Sequence, residues 1–216
     1  MRKYDKIETI FARDIEGSKK LLSNVFRDPT VEYLAHLDWD WSEKIDGTNI
    51  RIFWDGHTVT FGGRTDNAQI PMDLMNYLNA TFGTPVAEEI FEQQFGEKEV
   101  ILFGEGYGRK VQKVGSKYIP DGVGFILFDV LINENYQARE WVVQTAKAFN
   151  VPVVPIVGHG TLYEAVDYIK THPNSIVAKE QVEMEGVVCR PMQELRDRRS
   201  NRIIVKIKWN DIKELI

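Results

Sequence analysis

Lys44 stands in the stretch WSEKIDGTNIRIFWDG (Trp41–Gly56), beside Glu43 and Asp46 and just ahead of Gly47, on a run that otherwise reads as a buried strand. An isolated lysine is costly to bury. Either it is a solvated strand-end residue or the chain keeps it for its chemistry. A lysine is a nucleophile only as the neutral amine, and a reference pKa of about 10.4 leaves little of that form at neutral pH. Further short stretches carry residues that could assist such a group: Gly62-Gly63-Arg64-Thr65, Phe103-Gly104-Glu105-Gly106, Phe128-Asp129-Val130, Glu185-Gly186-Val187-Val188 and Lys206-Ile207-Lys208. Each is a weak pattern alone. Phe128 reads as a core aromatic, Glu105 as a turn carboxylate, Arg64 as a hairpin-end charge, and the paired lysines as the solvent face of an edge strand. Their order, spacing and shared association with strands carry the signal.

Taken in that order, the motifs resemble the covalent nucleotidyltransferase superfamily of polynucleotide ligases and messenger-RNA capping enzymes. The form EKIDGTN, Glu43 to Asn49, is most similar to type-2 RNA ligases, which are common in phages, and the resemblance runs from Glu43 to Lys208. It implies an α+β fold: a nucleotidyltransferase (adenylyltransferase) domain of antiparallel sheets flanked by helices, ATP-grasp-like. It also implies a three-step reaction. Lys44 takes AMP from ATP as a phosphoramide, AMP passes to an RNA 5′-phosphate, and an RNA 3′-hydroxyl displaces it to seal the strand. By the same resemblance Glu105 bonds the ribose, Phe128 stacks on adenine, and Lys206 and Lys208 grip the α-phosphate. Arg64 and Asn49 contact the nucleotide or the RNA 5′-phosphate, and Glu43 helps read the base.

The chemistry of these side chains agrees with that assignment. Lys206 and Lys208 lie two apart on an expected strand, so their side chains share a face. A unit charge about 4 Å away, at an effective dielectric near 20, is worth about 4 kcal/mol, so neighbouring cations favour a neutral amine. Bound phosphates act the other way, and a divalent ion is expected to neutralise them and the departing pyrophosphate. Glu185, in an otherwise apolar strand, is the apt ligand, with Asp46 and Asp129 as lesser candidates. Oxygen ligands, and four histidines without paired metal spacing, favour Mg²⁺ or Mn²⁺ over zinc.

Strands are expected near 48–54 and 57–62 around an Asp55-Gly56 turn, and at 99–105, 124–132, 184–190 and 201–209. Helices are expected at 71–82 and 85–95, each opening on proline and closing on glycine, and at 138–149 and 161–170 with a short strand between them. With 43% hydrophobic and 27% charged residues, the 216-residue chain has an ordinary globular composition. No repeat, low-complexity segment or clear linker divides it, so a single domain over 1–216 is expected. Only eight residues follow Lys208, so no C-terminal OB-fold or helical domain is expected.

The single cysteine, the absence of an apolar leader and the lack of any long apolar run suit the cytoplasm of a bacterial or phage-infected cell, with no membrane partner. The net charge of −5 is uneven: Arg190–Lys208 holds seven basic residues against two acids, a local +5 that leaves −10 on the rest. With Arg109, Lys110, Lys113 and Lys117, that window suggests a specific polyanion contact rather than general coating. Arg198, Arg199 and Arg202 are its candidate RNA-contacting members, and RNA ends, nicked or single-stranded, are the expected partner. Rival readings are a minimal ATP-dependent DNA ligase, a GTP-using capping enzyme, a non-catalytic nucleotide- or RNA-binding module, and an acidic structural domain.

Overall fold

The computed structural model describes residues 1–17 and 20–213. The chain forms two compact units, each assembled from separate stretches. One comprises Met1–Tyr4, Asp46–Val154 and Ala178–Glu180. The other comprises Asp5–Ile45, Pro155–Val177 and the described residues from Gln181 onward.

The Asp46–Val154 unit is built on a five-stranded antiparallel sheet ordered Val59–Gly62, Thr48–Trp54, Val100–Gly108, Val123–Ile132, Asn135–Tyr136. The Asp55 carboxylate accepts from the His57 and Thr58 amides at 2.9 and 2.8 Å, and Gly56 takes a φ of +99° that side chains disfavour. These contacts fix the first hairpin. Ile50, Ile52, Trp54, Val100, Leu102, Phe125 and Leu127 belong to a core shared with helices Met72–Phe82, Pro85–Phe95 and Arg139–Ala148. The first two helices contribute residues four apart, Leu74, Leu78 and Phe82, then Ala87, Phe91 and Phe95, as one helical face requires. Each large side chain so buried contributes about 1.5–3 kcal/mol.

One irregularity bears on the site. Phe103 pairs with Asp129 while Gly104 pairs with Leu127, so Phe128 is the extra residue of a β-bulge. The bulge shifts the alternation of its strand: Phe125 and Leu127 enter the helix-covered core before it, and Val130 after it.

The second unit holds a sheet ordered Glu8–Thr9, Val205–Lys208, Gly186–Pro191, Trp39–Lys44, Ile156–Gly160, antiparallel except for its first pair. Trp39, Trp41, Val187, Cys189, Val205 and Ile207 share a core with helix Leu162–Thr171 and helix Trp209–Lys213. Thr161 and Glu164 form a reciprocal capping box that fixes the start of the former. Strands Phe11–Arg13 and Leu21–Phe26 form a separate antiparallel pair.

The fold is therefore the expected mixed α+β arrangement of antiparallel sheets with helices. Two local expectations change. The last strand spans only Val205–Lys208, because Asp197 collects the amides of Arg199 and Asn201, both at 2.8 Å, and curls the preceding residues into a loop. Trp39–Lys44 is a strand in its own right, and the elements before it, including helix Pro29–Leu34, have no counterpart among the expected segments. Among the described residues no helix is long and apolar enough to cross a membrane.

Candidate active site

Lys44, Gly186 and Lys208 stand opposite one another across three adjacent strands, and Ser42, Val188 and Lys206 do so two residues along. Alternation sends Trp39, Trp41, Val205 and Ile207 into the core and leaves Ser42, Lys44, Lys206 and Lys208 on the other face. Glu185, just ahead of its strand, serves both ends of the row. Its Oε2 accepts from Lys44 Nζ at 2.5 Å, and its Oε1 pairs with Lys208 Nζ at 3.0 Å. The Glu185 carbonyl accepts the Trp209 amide at 2.9 Å, which pins that backbone.

Gly186 makes the close spacing possible. Its φ is +149°, and a Cβ there would lie 2.0 Å from the Ile207 carbonyl oxygen. Burial pushes the Lys206 amine below its ordinary range, helped by the charges of Lys208 and Lys44 and opposed by Glu185 and Glu8. Three ammonium groups around one carboxylate leave an excess of positive charge, which suits a polyphosphate.

The donor set also bears on metal. Among the described residues no group of three His, Cys, Asp or Glu side chains converges as a cage. Mg²⁺ and Mn²⁺ sites that act on nucleotides commonly use one or two carboxylates plus the phosphates themselves, and Glu185 beside three lysines fits that type. Asp129 does not serve as expected, being wholly buried and hydrogen-bonded by the Tyr4 hydroxyl at 2.6 Å. Asp46 belongs to the other unit, where its amide makes a long 3.5 Å contact to the Tyr118 hydroxyl.

Glu43 requires a correction. It alternates with Lys44, so its side chain points to the core face, and it is only 1% exposed. Its carboxylate accepts from the Ser175 hydroxyl and, at 3.0 Å, from the Ile176 amide. Burial raises its pKa, with those hydrogen bonds opposing. Instead of reading a base, Glu43 fastens the Ser175–Ile176 segment to the strand that carries Lys44.

In the Asp46–Val154 unit, Asn49 and Glu105 are direct cross-strand partners. Alternation puts them on the face opposite Ile50 and Ile52. Asn49 Oδ1 is buried with no hydrogen-bond partner among the described residues, which marks a polar position suited to a ligand. A Cβ at Gly47 would meet the Gly106 carbonyl oxygen at 2.3 Å and Glu105 Cγ at 2.7 Å, so the turn after Asp46 lies directly on the Glu105 strand. Phe128, partly exposed at the bulge, packs edge-on to Tyr4 with ring centroids 5.0 Å apart. Arg64 is exposed in the loop after Val59–Gly62.

The basic candidates divide. Arg109, Lys110 and Lys113 are exposed, and Gln112 among them donates to the Gly47 carbonyl at 3.0 Å. Lys117 pairs with Glu180 at 2.5 Å. Arg198 and Arg199 are exposed, but Arg202 is not a surface contact. Its side chain is 3% exposed and binds Glu194 bidentately at 2.7 and 3.0 Å, which makes it part of the loop's framework. Sequence reasoning passed over Arg51, Gln112 and Ser175. Only Arg51 left a trace, as a charge between two isoleucines on a strand.

The mixed arrangement of antiparallel sheets and helices matches the RNA ligase nucleotidyltransferase fold. A family model described as RNA ligase matches residues 38–208, and the chain belongs to this family. A variant of Naegleria gruberi RNA ligase solved with ATP and Mn shares the fold at TM-score 0.67 and 16% identity, over 100% of this chain and 58% of that one. The same ligase with pyrophosphate gives 0.63 and 17%, over 98% and 63%, and a variant with AMP and Mn gives 0.62 and 16%, over 97% and 63%. The chain thus spans less than two thirds of these structures. Comparison with curated protein sequences gave no match.

Proposed function

We propose that the chain is an ATP-dependent RNA ligase that forms a lysyl-AMP intermediate and joins RNA 5′-phosphate to 3′-hydroxyl ends. The observation that carries this reading is the Lys44–Gly186–Lys208 row with Glu185 bonded to both lysines. Membership of the RNA ligase family supports the polynucleotide as RNA. The structural relatives solved with ATP, AMP and Mn support ATP and a divalent ion as cofactors.

In this mechanism the Lys44 amine, stripped of its extra proton, attacks the α-phosphorus of ATP. An N–P bond forms, the bond from the α-phosphorus to the oxygen bridging to the β-phosphorus breaks, pyrophosphate leaves with that oxygen, and the nitrogen sheds its surplus proton to solvent. Glu185 orients the amine, and Lys206 and Lys208 offset charge on the α-phosphate as it builds. Glu185, with Asp46 as a second candidate, would hold a divalent ion, which would supply further positive charge. Asn49 and Glu105 offer polar contacts to the nucleoside, Phe128 an aromatic face, and Arg64 a guanidinium for phosphate. RNA is held by the exposed residues of the two basic stretches, with nicked or single-stranded ends as substrates. The 1–216 chain acts here as a single adenylyltransferase domain.

Intact-protein mass after incubation with ATP, Mg²⁺ and pyrophosphatase tests the first step. A one-AMP adduct in the wild type and none in Lys44→Ala is the expected result. No adduct with ATP, GTP or NAD⁺, under Mg²⁺ or Mn²⁺, would remove the enzyme reading.

A further inference from the structure

Arg51 is a charged residue, 1% exposed, on strand Thr48–Trp54 between Ile50 and Ile52. Those neighbours turn into the helix-covered core, so Arg51 projects from the opposite face, the one that carries Asn49 and Glu105. Burying a guanidinium costs several kcal/mol unless its donors are satisfied. Here Nε donates to the Gly63 carbonyl at 2.7 Å, Nη2 to Asp66 Oδ1 at 2.9 Å, and Nη1 to the carbonyls of Met1 and Arg2 at 3.0 and 3.3 Å. An aliphatic residue would fill the position without that cost, which directs attention to what the cation holds.

What it holds brackets Arg64. Gly63 precedes that residue and Asp66 follows two positions on, so one guanidinium grips the loop on both sides of an exposed arginine. The loop closes on itself through the Ala68 amide, which donates to the Thr65 carbonyl at 3.1 Å. It is also packed tightly: a Cβ at Gly62 would meet Arg51 Nη2 at 3.0 Å, and one at Gly63 would meet Ala68 Cβ at 2.9 Å. The Arg51 hydrogen bond and charge hold the Asp66 carboxyl below its usual range, and a guanidinium does not deprotonate, so the clamp stays charged at neutral pH. Bidentate recognition of a phosphate by arginine is geometrically demanding and benefits from a fixed backbone.

We propose that Arg51 is a positioning residue that, through Gly63 and Asp66, presents Arg64 to the 5′-phosphate of the RNA end. The proposal rests on the function set out above. It differs from a purely stabilising role in requiring that loosening the loop weaken RNA engagement while the fold and the lysyl-AMP step stay intact.

Asp66→Asn is the sharpest test, because Asp66 is an exposed carboxylate that can be neutralised without opening the core. Arg51→Lys and Arg64→Ala complete the set in the full chain. The readouts are melting temperature, lysyl-AMP formation, and KM and kcat for sealing a 5′-phosphorylated nick in duplex RNA. Asp66→Asn should melt close to wild type and form lysyl-AMP at the wild-type rate. Its KM for the nicked duplex should rise roughly five- to tenfold, the scale on which charge-assisted contacts act, with kcat nearly unchanged. Arg51→Lys, which keeps the charge but not the fork, should move KM the same way. If Arg64→Ala raises KM while both clamp variants leave it at the wild-type value, the positioning role is overturned. If Arg64→Ala itself leaves the RNA steps unchanged, the phosphate role of Arg64 falls and this inference with it. If the wild type forms no lysyl-AMP, it is the underlying function that has failed.

Discussion

Gly186 lies between the two lysines that share Glu185, and replacing it with alanine perturbs the row without touching a charged group. An alanine Cβ would stand 2.0 Å from the Ile207 carbonyl oxygen, 2.8 Å from Lys208 Cα and 2.9 Å from the Ile207 carbonyl carbon. All three are backbone atoms of the adjoining strand, so no side-chain rotation relieves the collision. The φ of +149° adds strain of about 1–3 kcal/mol, and the collision a further 1–3 kcal/mol or so. Gly96 supplies the control. It too has a positive φ, +60°, but a Cβ there would meet nothing within 4 Å, so Gly96→Ala carries the strain alone. At about 2–4 °C per kcal/mol for a chain of this size, Gly186→Ala should melt some 2–12 °C below Gly96→Ala.

The functional effect should be larger. Strand Val205–Lys208 has to move at Lys208, and a misplacement near 1 Å can cost on the order of 100-fold in rate. Lysyl-AMP formation, followed by intact mass well below either melting temperature, should therefore fall tenfold or more in Gly186→Ala and hold in Gly96→Ala. If the two variants melt together and adenylylate alike, the argument that close strand approach builds the lysine row is wrong.

Two other outcomes follow from the same geometry. The pKa of buried Glu43 is raised above 4.5 by desolvation, so the folded state keeps the proton longer than the unfolded one. The stability this gives is complete below the unfolded value and is lost as pH rises through the folded value. Glu43→Gln should thus gain melting temperature relative to wild type on moving from acid to neutral pH; a difference that stays flat, or falls, across that range would contradict the desolvation argument. Arg198→Ala and Arg199→Ala should leave melting unchanged and each reduce the slope of log affinity for single-stranded RNA against log salt by about 0.7. Arg202→Ala should instead lower the melting temperature, because it leaves Glu194 without its bidentate partner. Equal salt slopes for all three would contradict this division.

Much of the architecture was legible because its signals are local. The Asp55-Gly56 turn, the proline-to-glycine limits of the two middle helices, and the apolar strands expected at 99–105 and 124–132 follow from short-range chemistry, although the first of these strands runs on to Gly108. The run around Lys44 reads as a strand, but its pattern does not set Trp39–Lys44 off as a strand of its own, because Glu43 occupies an inward position and breaks the apolar alternation. Only the distant Ser175 and Ile176 explain how a carboxylate can sit there. The bulge at Phe128 depends on a register between strands, which composition does not encode. Arg202 and Lys206 look alike in a count of basic residues, yet one is locked to Glu194 and the other borders the lysine row. The missing clear linker has a related origin, since both units are stitched from separate stretches and the chain crosses between them more than once.

The strand carrying Lys44 sits between Gly186–Pro191 and Ile156–Gly160, and Lys208 arrives one strand further out. On a ribosome adding about 5–20 residues per second, Gly186 emerges on the order of ten seconds or more after Lys44. Until then Lys44 has neither Glu185 nor an antiparallel neighbour on that side, and the tryptophans at 39 and 41 have no Val187 or Cys189 to cover them. A nascent or truncated chain ending before Gly186 would display an aromatic strand with open edges, an aggregation-prone species. In this topology, completion of the lysine row and relief from aggregation come with the same late strands.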